Sequence, residues 1–256
     1  MSSSYAEVDK SADTAALVWW QERVDGWPQV RAYKQRTYEL VADADRVLDV
    51  GSGPGGDVVA IGSDRCVGVD ASLAMGAAAA GRGAAFVAGD ALRLPFADGG
   101  FGAVRADRVV QHVADPAAAV AEMVRVTRSG GRVVVADPDQ ETLVIHVPGV
   151  ERSLADRVKA LRRDVGYRNG GFVTTLPDRL ARMGLGDVTV DAFPLLITGP
   201  DEAFGLPTWP RWGADIGLDF SAADLEAWDR GIARARTGGL VYALLYFVVS
   251  GVVPDR

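Results

Sequence analysis

A short apolar run that ends in a cluster of glycines constrains this chain more than any other feature of its sequence. The segment Val47–Asp57 reads VLDVGSGPGGD, so a run typical of a buried strand leads directly into four glycines. Glycine adopts backbone conformations closed to other residues and lets a ligand approach the main chain closely. Because Gly51, Gly53 and Gly56 also satisfy the G-x-G-x-x-G spacing before a helix-like stretch, the segment predicts a strand–loop–helix unit that binds a nucleotide-containing ligand.

Apolar runs alternate with helix-like stretches from Arg46 onward. In Pro116–Thr127, for example, Val120, Met123 and Thr127 fall on one helical face. The strand candidates are Arg46–Val50, Cys66–Asp70, Ala85–Ala88, Gly102–Ala106 and Arg132–Ala136. This alternation predicts an α/β fold with a mostly parallel sheet and helices on both faces.

The two flanks of this alternating region are less regular. Residues 5–44 predict helices rich in Trp and Tyr. Beyond Pro138 the chain predicts a strand near Val188–Val190, a helix that begins at Ser221 with Asp224 in the place of a capping-box Glu, and a last apolar strand, Leu240–Val253. We therefore expect one domain, with residues 1–45 as a helical cap, 46–137 as the cofactor-binding core and 138–256 as substrate-side insertions and the last strands. Irregular segments on a rigid scaffold commonly determine specificity.

Charge and cysteine content exclude some classes of protein. The 256 residues carry 34 acidic against 27 basic side chains, a formal charge of −7, which disfavours a general nucleic-acid binder. The basic segment Arg152–Arg168 reads best as a solvated helix face. One cysteine, Cys66, allows no intrachain disulfide, and no secretory signal or membrane span is visible, so we expect a cytoplasmic protein that contacts neither nucleic acid nor membrane.

Three carboxylates follow three successive predicted strands: Asp49, Asp70 and Asp90. A dinucleotide would place an anionic pyrophosphate over the glycine turn, where Asp49 would repel it. S-adenosylmethionine carries an α-ammonium group instead, which an acidic neighbourhood stabilises. Asp70 suits the ribose of either cofactor. Three such acids therefore favour a cationic nucleoside over NAD.

Taken together, these motifs make the chain resemble the class I S-adenosylmethionine-dependent methyltransferases, in particular the subgroup of ubiquinone/menaquinone biosynthesis and small-molecule tailoring enzymes. The segments that carry the resemblance are Asp49–Gly55, Val69–Met75, Gly89–Asp98, Gln111–Pro116, Glu122–Val126 and Gly130–Val134. The resemblance covers Arg46 to about Asp137 well and weakens beyond.

The resemblance implies a Rossmann-like three-layer sandwich whose sheet has seven strands, the last antiparallel. It also implies S-adenosyl-L-methionine as cofactor and S-adenosyl-L-homocysteine as product. The cofactor-binding residues would be Asp49, Gly51 and Gly53 at the methionine moiety, Asp70 at the ribose, and Asp90 with Ala91 at the adenine. Ala71 would be a further cofactor contact. Arg108 is a candidate for the methionine carboxylate, with a structural salt bridge as the alternative.

Two histidines are the candidate catalytic residues, because histidine titrates near neutral pH and a hydroxyl or carbon acceptor must lose a proton. His112 follows the fourth strand and His146 the fifth, and each has a packing role as its alternative. Trp19, Trp20, Trp209 and Trp212 pack in the core or line a pocket for an apolar or aromatic acceptor. No metal-ligand spacing is present. The oligomeric state, a homodimer included, stays open.

Methyl transfer to a small acceptor is therefore the leading hypothesis. The alternatives are an S-adenosylmethionine-binding enzyme that catalyses a cyclisation or rearrangement, a non-catalytic cofactor sensor and an NAD oxidoreductase. We expect Asp49→Asn and Asp70→Ala to weaken cofactor binding.

Overall fold

A seven-stranded sheet forms the centre of the computed structural model, which describes residues 14–167 and 169–255. Its strands are β1 (Val47–Val50), β2 (Cys66–Asp70), β3 (Ala85–Ala88), β4 (Phe101–Asp107), β5 (Thr127–His146), β6 (Gly186–Ile197) and β7 (Val241–Val252). They lie in the order β3-β2-β1-β4-β5-β7-β6. The first five pair in parallel, whereas β7 runs antiparallel between β5 and β6.

Helices cover both faces of this sheet. Those of the described residues are α1 (Thr14–Asp25), α2 (Pro28–Leu40), α3 (Gly56–Ile61), α4 (Leu73–Gly81), α5 (Pro116–Val126), α6 (Arg152–Leu161), α7 (Leu176–Arg182), α8 (Trp209–Asp215) and α9 (Ala222–Ala235). Short 3₁₀ turns lie between some of these helices, and α6 continues into a π-helical turn at Arg162–Gly166. The helices predicted for residues 5–13 lie outside the described residues.

Local sequence explains where several helices begin. The Asp115 side chain accepts a hydrogen bond from the Ala118 amide, and Pro116 occupies the first turn of α5, where its missing N–H costs nothing. The predicted capping box of α9 is confirmed, because Ser221 and Asp224 satisfy each other's backbone amides.

The core has two halves, one on each face of the sheet, as a three-layer sandwich requires. Along β5, Val134 and Ala136 pack with helices α2, α6 and α9 on one face, and Val133 and Val135 pack with α5 and α7 on the other. Every residue of β1 is buried, as expected of a central parallel strand.

The predicted α/β fold with a seven-stranded, mostly parallel sheet is confirmed. Two strands are much longer than predicted. The strand expected at Arg132–Ala136 runs from Thr127 to His146, and the strand expected near Val188–Val190 extends over Gly186–Ile197. Both lengthen because β7 pairs antiparallel along them, and this long-range pairing leaves no local signal in the sequence.

Candidate functional site

A cavity of about 540 Å³ opens at the carboxyl ends of the parallel strands. It lies where the strand order reverses, since β1 has β2 on one side and β4 on the other. Open α/β sheets bind their ligands at this kind of position. Helix α1 forms one wall through Trp20, Gln21 and Val24. The cavity therefore lies between the sheet and a helical cap.

The glycine loop lines one end of the cavity. Gly51 and Gly53 have φ angles of +67° and +51°, in the region that favours glycine. A Cβ on Gly51 would lie 2.4 Å from a Val109 methyl carbon, so the loop has no room for a side chain there. The predicted close-approach role of both glycines is compatible with this geometry.

The amides of the loop donate hydrogen bonds within the chain. Those of Gly51 and Ser52 donate to the Val69 carbonyl at 2.7 and 3.2 Å, and that of Gly53 donates to Asp70 Oδ2 at 2.9 Å. The Gly55 amide donates to the Ser52 carbonyl, and Pro54 has no N–H. The amides of the loop itself are thus already engaged within the chain.

Four predicted cofactor residues come together beside this loop: Asp70, Ala71, Asp90 and Ala91 all line the cavity. The Asp70 carboxylate also accepts from the Ser72 amide at 2.9 Å, which fixes its orientation at the tip of β2. The exposed Asp90 carboxylate accepts from the Leu92 amide at 2.9 Å. This end of the cavity consequently has acidic character.

Asp49 does not face the cavity as predicted. Its side chain is buried, and Arg105, its neighbour across β1 and β4, donates to Asp49 Oδ1 at 2.7 Å. Burial raises the pKa of Asp49, and the Arg105 charge opposes that rise. The correction has a simple cause: successive side chains alternate between the faces of a strand, and Asp49 points into the layer where Arg105 lies.

A network of buried charges surrounds this pair and ties α2 to the sheet. Lys34 of α2 lies 2.8 Å from Asp57 and 3.1 Å from both Asp25 and Asp107. Burial alone would lower the pKa of Lys34, but Asp57 and Asp107 raise it to about 12. Burial would likewise raise the pKa of Asp57, yet Lys34 and Arg105 hold it below its ordinary value. These opposite charges compensate one another beneath the glycine loop.

Arg108 lines the cavity, but its guanidinium is bound by the cap. It donates to Asp25 at the end of α1 at 2.5 Å. Its φ angle of +58° is uncommon for a residue with a side chain. Burial would lower the pKa of Arg108, whereas Asp25 and Tyr33 raise it well above its ordinary value. The geometry thus matches the salt-bridge alternative, and contact with a methionine carboxylate remains a prediction.

Of the two histidines, only His112 lines the cavity. Burial, together with the charges of Arg108 and Arg162, lowers its pKa to about 4, so the ring is neutral at pH 7 and weakly basic. His146 is exposed at the far end of β5 and is not a lining residue, so its predicted place at the pocket is wrong. The extended pairing of β5 with β7 carries it away from the strand tips.

The other end of the cavity is lined largely by aromatic and apolar side chains. They include Tyr167, Phe204, Leu244 and Tyr246. Of the predicted tryptophans, Trp20 lines the cavity, Trp209 is buried against Tyr242, Trp19 is exposed and Trp212 is partly buried. This end suits an organic ligand with an apolar body.

Sequence reasoning missed Arg162, which is only 6% exposed and lines the same end. The signal was present, because Leu154, Val158 and Leu161 form the apolar stripe of α6 and Arg162 follows Val158 by four residues. A charged residue on an apolar stripe points inward. Arg105 gives the same signal in β4, where it interrupts a run of buried apolar residues.

Two further features of residues 14–167 and 169–255 concern membrane-spanning helices and metal-binding groups. No helix there combines the length and the apolar character needed to cross a bilayer. Within the same ranges, no group of three or more His, Cys, Asp or Glu side chains is placed to hold a metal ion.

The strand order and the cavity at the strand tips define a Rossmann-like fold, and comparison with known proteins shows which proteins it resembles. Residues 48–135 match the family model described as "Methyltransferase domain". Demethylmenaquinone methyltransferase of Mycolicibacterium vanbaalenii is 42% identical over 113 residues, which cover 43% of this chain and 50% of that protein. A 37.1 kDa protein in transposon TN4556 of Streptomyces fradiae is 42% identical over 137 residues, 49% of this chain and 40% of that protein.

Solved structures share the whole architecture at low sequence identity. Haemonchus contortus phosphoethanolamine N-methyltransferase 2, solved with S-adenosyl-L-methionine, superposes with a TM-score of 0.60 at 18% identity over 98% of this chain and 60% of that one. The YcgJ protein of a Bacillus species superposes with a TM-score of 0.58 at 18% identity over 88% of this chain and 100% of that one.

These matches show a methyltransferase domain over residues 48–135 and support a class I S-adenosylmethionine-dependent methyltransferase. The chain spans half or less of the length of the two curated relatives named above.

Proposed function

We propose that this protein binds S-adenosyl-L-methionine at the acidic end of the cavity and transfers its methyl group to a small organic acceptor at the aromatic end. One observation carries the proposal: the glycine loop, Asp70 and Asp90 line the same cavity as His112 and Tyr167. Cofactor and acceptor would then share one enclosed space, as an in-line displacement requires.

The cofactor end favours a nucleoside without phosphates. Gly51, Ser52 and Gly53 have no amide left to donate to a pyrophosphate placed over the loop. The Asp70 carboxylate can accept hydrogen bonds from ribose hydroxyls, and the Asp90 turn can accept from an adenine amino group. The argument against NAD therefore rests on the engaged loop amides rather than on the buried Asp49, because Asp70 suits the ribose of either cofactor.

At the acceptor end, this chain's residues position the acceptor and handle its proton. The bound cofactor supplies an electrophilic methyl group and leaves as S-adenosyl-L-homocysteine. His112 is neutral at pH 7 and would accept a hydrogen bond from the proton that the acceptor releases, although its lowered pKa makes it a weak base. The cap residues Trp20 and Val24 would exclude water from the reacting atoms.

The wider setting is part of this proposal. Residues 1–45 would serve as cap, 46–137 as cofactor core and 138–256 as the acceptor side of a single domain. A buried free thiol, Cys66, fits a reducing cytoplasm, and the apolar lining fits an apolar or aromatic acceptor. A homodimer is the oligomeric state to be checked by analytical ultracentrifugation.

Calorimetry tests the cofactor assignment. Wild type should bind S-adenosyl-L-methionine and S-adenosyl-L-homocysteine but not NAD. Asp70→Asn, which keeps the side-chain shape and loses the charge, should weaken both by about tenfold or more, because hydrogen bonds to charged groups contribute about 1.5–3 kcal/mol. Asp43→Asn, on an exposed carboxylate outside the cavity lining, is the matched control and should leave affinity unchanged.

Mass spectrometry tests the reaction. Candidate acceptors incubated with wild type and cofactor should gain one methyl group, with S-adenosyl-L-homocysteine formed in equal amount. Binding of NAD alone would refute the cofactor assignment. Conversion of an acceptor without a gain in mass would refute methyl transfer in favour of a cyclisation or rearrangement.

A further inference from the structure

Arg162 places a buried positive charge at the acceptor end of the cavity. It is the first residue of the π-helical turn that follows α6, and π-helical turns are frequent at functional sites. Its guanidinium carbon lies over four aromatic rings, at 4.3 Å from the ring centre of Trp209, 4.6 Å from Tyr167, 5.6 Å from Phe204 and 5.9 Å from Tyr242. Stacking of this kind recovers about 2 kcal/mol at a desolvated site.

The polar contacts of this guanidinium are all to neutral groups. Nε donates to Gln140 Oε1 at 3.2 Å, and Nη2 donates to Tyr167 Oη at 3.1 Å. Across residues 14–167 and 169–255, no carboxylate lies within 4.0 Å of it. Two acids flank Gln140 on β5: Glu141 is exposed and pairs with Arg163, and the buried Asp139 accepts from the Glu141 amide at 2.8 Å.

Two other buried cations in the protein have carboxylate partners. Arg105 contacts Asp49 and Asp57, and Lys34 contacts three carboxylates. A buried charge without a counter-ion costs several kcal/mol, and aromatic stacking offsets only part of that cost. Arg162 therefore differs from Arg105 and Lys34 in having no carboxylate partner, and it also lines the cavity.

We propose that Arg162 binds a carboxylate of the acceptor, so that the substrate class is a small organic acid with an aromatic or apolar body. This inference rests on the proposed function and assigns the acceptor half of the same cavity. A guanidinium offers parallel N–H donors that match a carboxylate. One uncompensated positive charge matches a monoanion better than a dianionic phosphate, since the charge of Arg108 is already balanced by Asp25.

The same contacts indicate how the acid would be oriented. The uncharged Tyr167 connects Arg162 with His112. Its hydroxyl accepts from Arg162, and the centre of its ring lies 5.4 Å from the centre of the His112 ring. An acid held by Arg162 would lie along Tyr167 and Phe204 and extend past His112 toward the cofactor end. Arg162 is a binding residue in this proposal, and it takes no part in proton transfer.

Matched acid and amide probes test the proposal. Calorimetry on the protein saturated with S-adenosyl-L-homocysteine would compare benzoate with benzamide, and phenylacetate with phenylacetamide. Wild type should bind each acid at least about tenfold more tightly than its amide, a difference of about 1.4 kcal/mol. Arg162→Met, which keeps an unbranched apolar chain in the aromatic cage, should bring the ratio close to one.

Two further variants control for fold and for surface charge. Arg162→Lys keeps the charge without the planar fork and should retain a reduced preference for the acid. Arg152→Met removes an arginine that is 93% exposed in its side chain at the start of α6 and should change nothing. All three variants should bind S-adenosyl-L-homocysteine as wild type does.

Three results would overturn the inference: wild type that does not distinguish acid from amide, a preference that survives Arg162→Met, or phenyl phosphate bound more tightly than either acid. The comparison of acid with amide on wild type tests the inference even if Arg162→Met fails to fold. Failure of the proposed function has a different signature, because S-adenosyl-L-homocysteine would not bind while the acid–amide comparison could still be made on the free protein.

Discussion

Asp49 and Arg105 face each other on the two central strands and illustrate how a single residue can have an unexpected role. The carboxylate is only 2% exposed, and Arg105 is fully buried with its charge shared between Asp49 and Asp57. Two guanidinium nitrogens of Arg105, Nε and Nη2, find no hydrogen-bond acceptor among the described residues. The ion pair is therefore costly to bury and costlier to break.

Arg105→Met should lower the free energy of unfolding by about 3–5 kcal/mol, because it leaves Asp49 buried without its partner. The double variant Asp49→Leu/Arg105→Met should recover much of that loss, since two apolar side chains replace the pair. Urea denaturation followed by circular dichroism measures both. Equal stability of wild type and Arg105→Met would contradict the prediction, as would a double variant less stable than the single one.

A single buried residue, His112, makes the stability of the protein depend on pH. Its pKa is about 4 in the folded protein against an ordinary 6.5, so the unfolded chain binds more protons between these values. The contribution of His112 to the free energy of unfolding is therefore fully present above pH 6.5. It decreases as the pH falls from 6.5 toward 4, by up to about 1.4 kcal/mol per pH unit. Urea denaturation at several pH values should show a shallower acid slope for His112→Gln than for wild type. Identical slopes would refute the burial argument.

At the scale of elements, helix α1 is held over the cavity by charges at its end. Asp25 binds Arg108 at the tip of β4 and Lys34 on α2. One turn earlier, Gln21 packs beside Gly53, where a Cβ would lie 3.0 Å from its amide nitrogen. The cap is thus joined to the sheet at both the glycine loop and the fourth strand, so ligand binding and helix position are linked.

Asp25→Asn should loosen this helix and weaken S-adenosyl-L-homocysteine binding by about tenfold, because charge-assisted hydrogen bonds contribute about 1.5–3 kcal/mol. Calorimetry measures the affinity, and hydrogen exchange should show faster exchange in α1. Asp43→Asn is again the matched control. Unchanged affinity together with faster exchange would show that α1 does not help to hold the ligand.

At the scale of the whole molecule, the cavity joins parts of the chain that are distant in sequence. Its lining runs from Trp20 on α1 through the tips of β1, β2 and β4 to Tyr246 on β7. Tyr246 also stacks on Tyr33 of α2, with ring centres 4.6 Å apart. A ligand in the cavity therefore contacts both the first and the last elements of the described chain.

A ligand that contacts all of these elements should stabilise them as one unit. S-adenosyl-L-homocysteine at a hundred times its dissociation constant should add about 2.7 kcal/mol and raise the melting temperature by about 5–10 °C in a single calorimetric transition. Differential scanning calorimetry measures this shift. Two transitions of which only one moves would contradict a single cooperative domain.

Structural features that depend on neighbouring residues were predicted from the sequence, whereas features that depend on distant segments were not. Cys66–Asp70 and Ala85–Ala88 were predicted with their observed bounds, and Asp70, Ala71, Asp90 and Ala91 lie at the cavity as expected. These features follow from residue periodicity and from turns within a few residues. His146 was misplaced because the pairing that extends β5 comes from β7, about a hundred residues later.

The sequence alone determined the order of strands and helices, the glycine turn and the acids that follow the strands, because each depends on neighbours along the chain. Tertiary structure decided which charged side chains are compensated. Asp49 met Arg105 across two strands, while Arg162 came to lie among four rings from three parts of the chain with no acid beside it. Burial and pairing of charge depend on which distant segments pack together, and no local pattern encodes that choice.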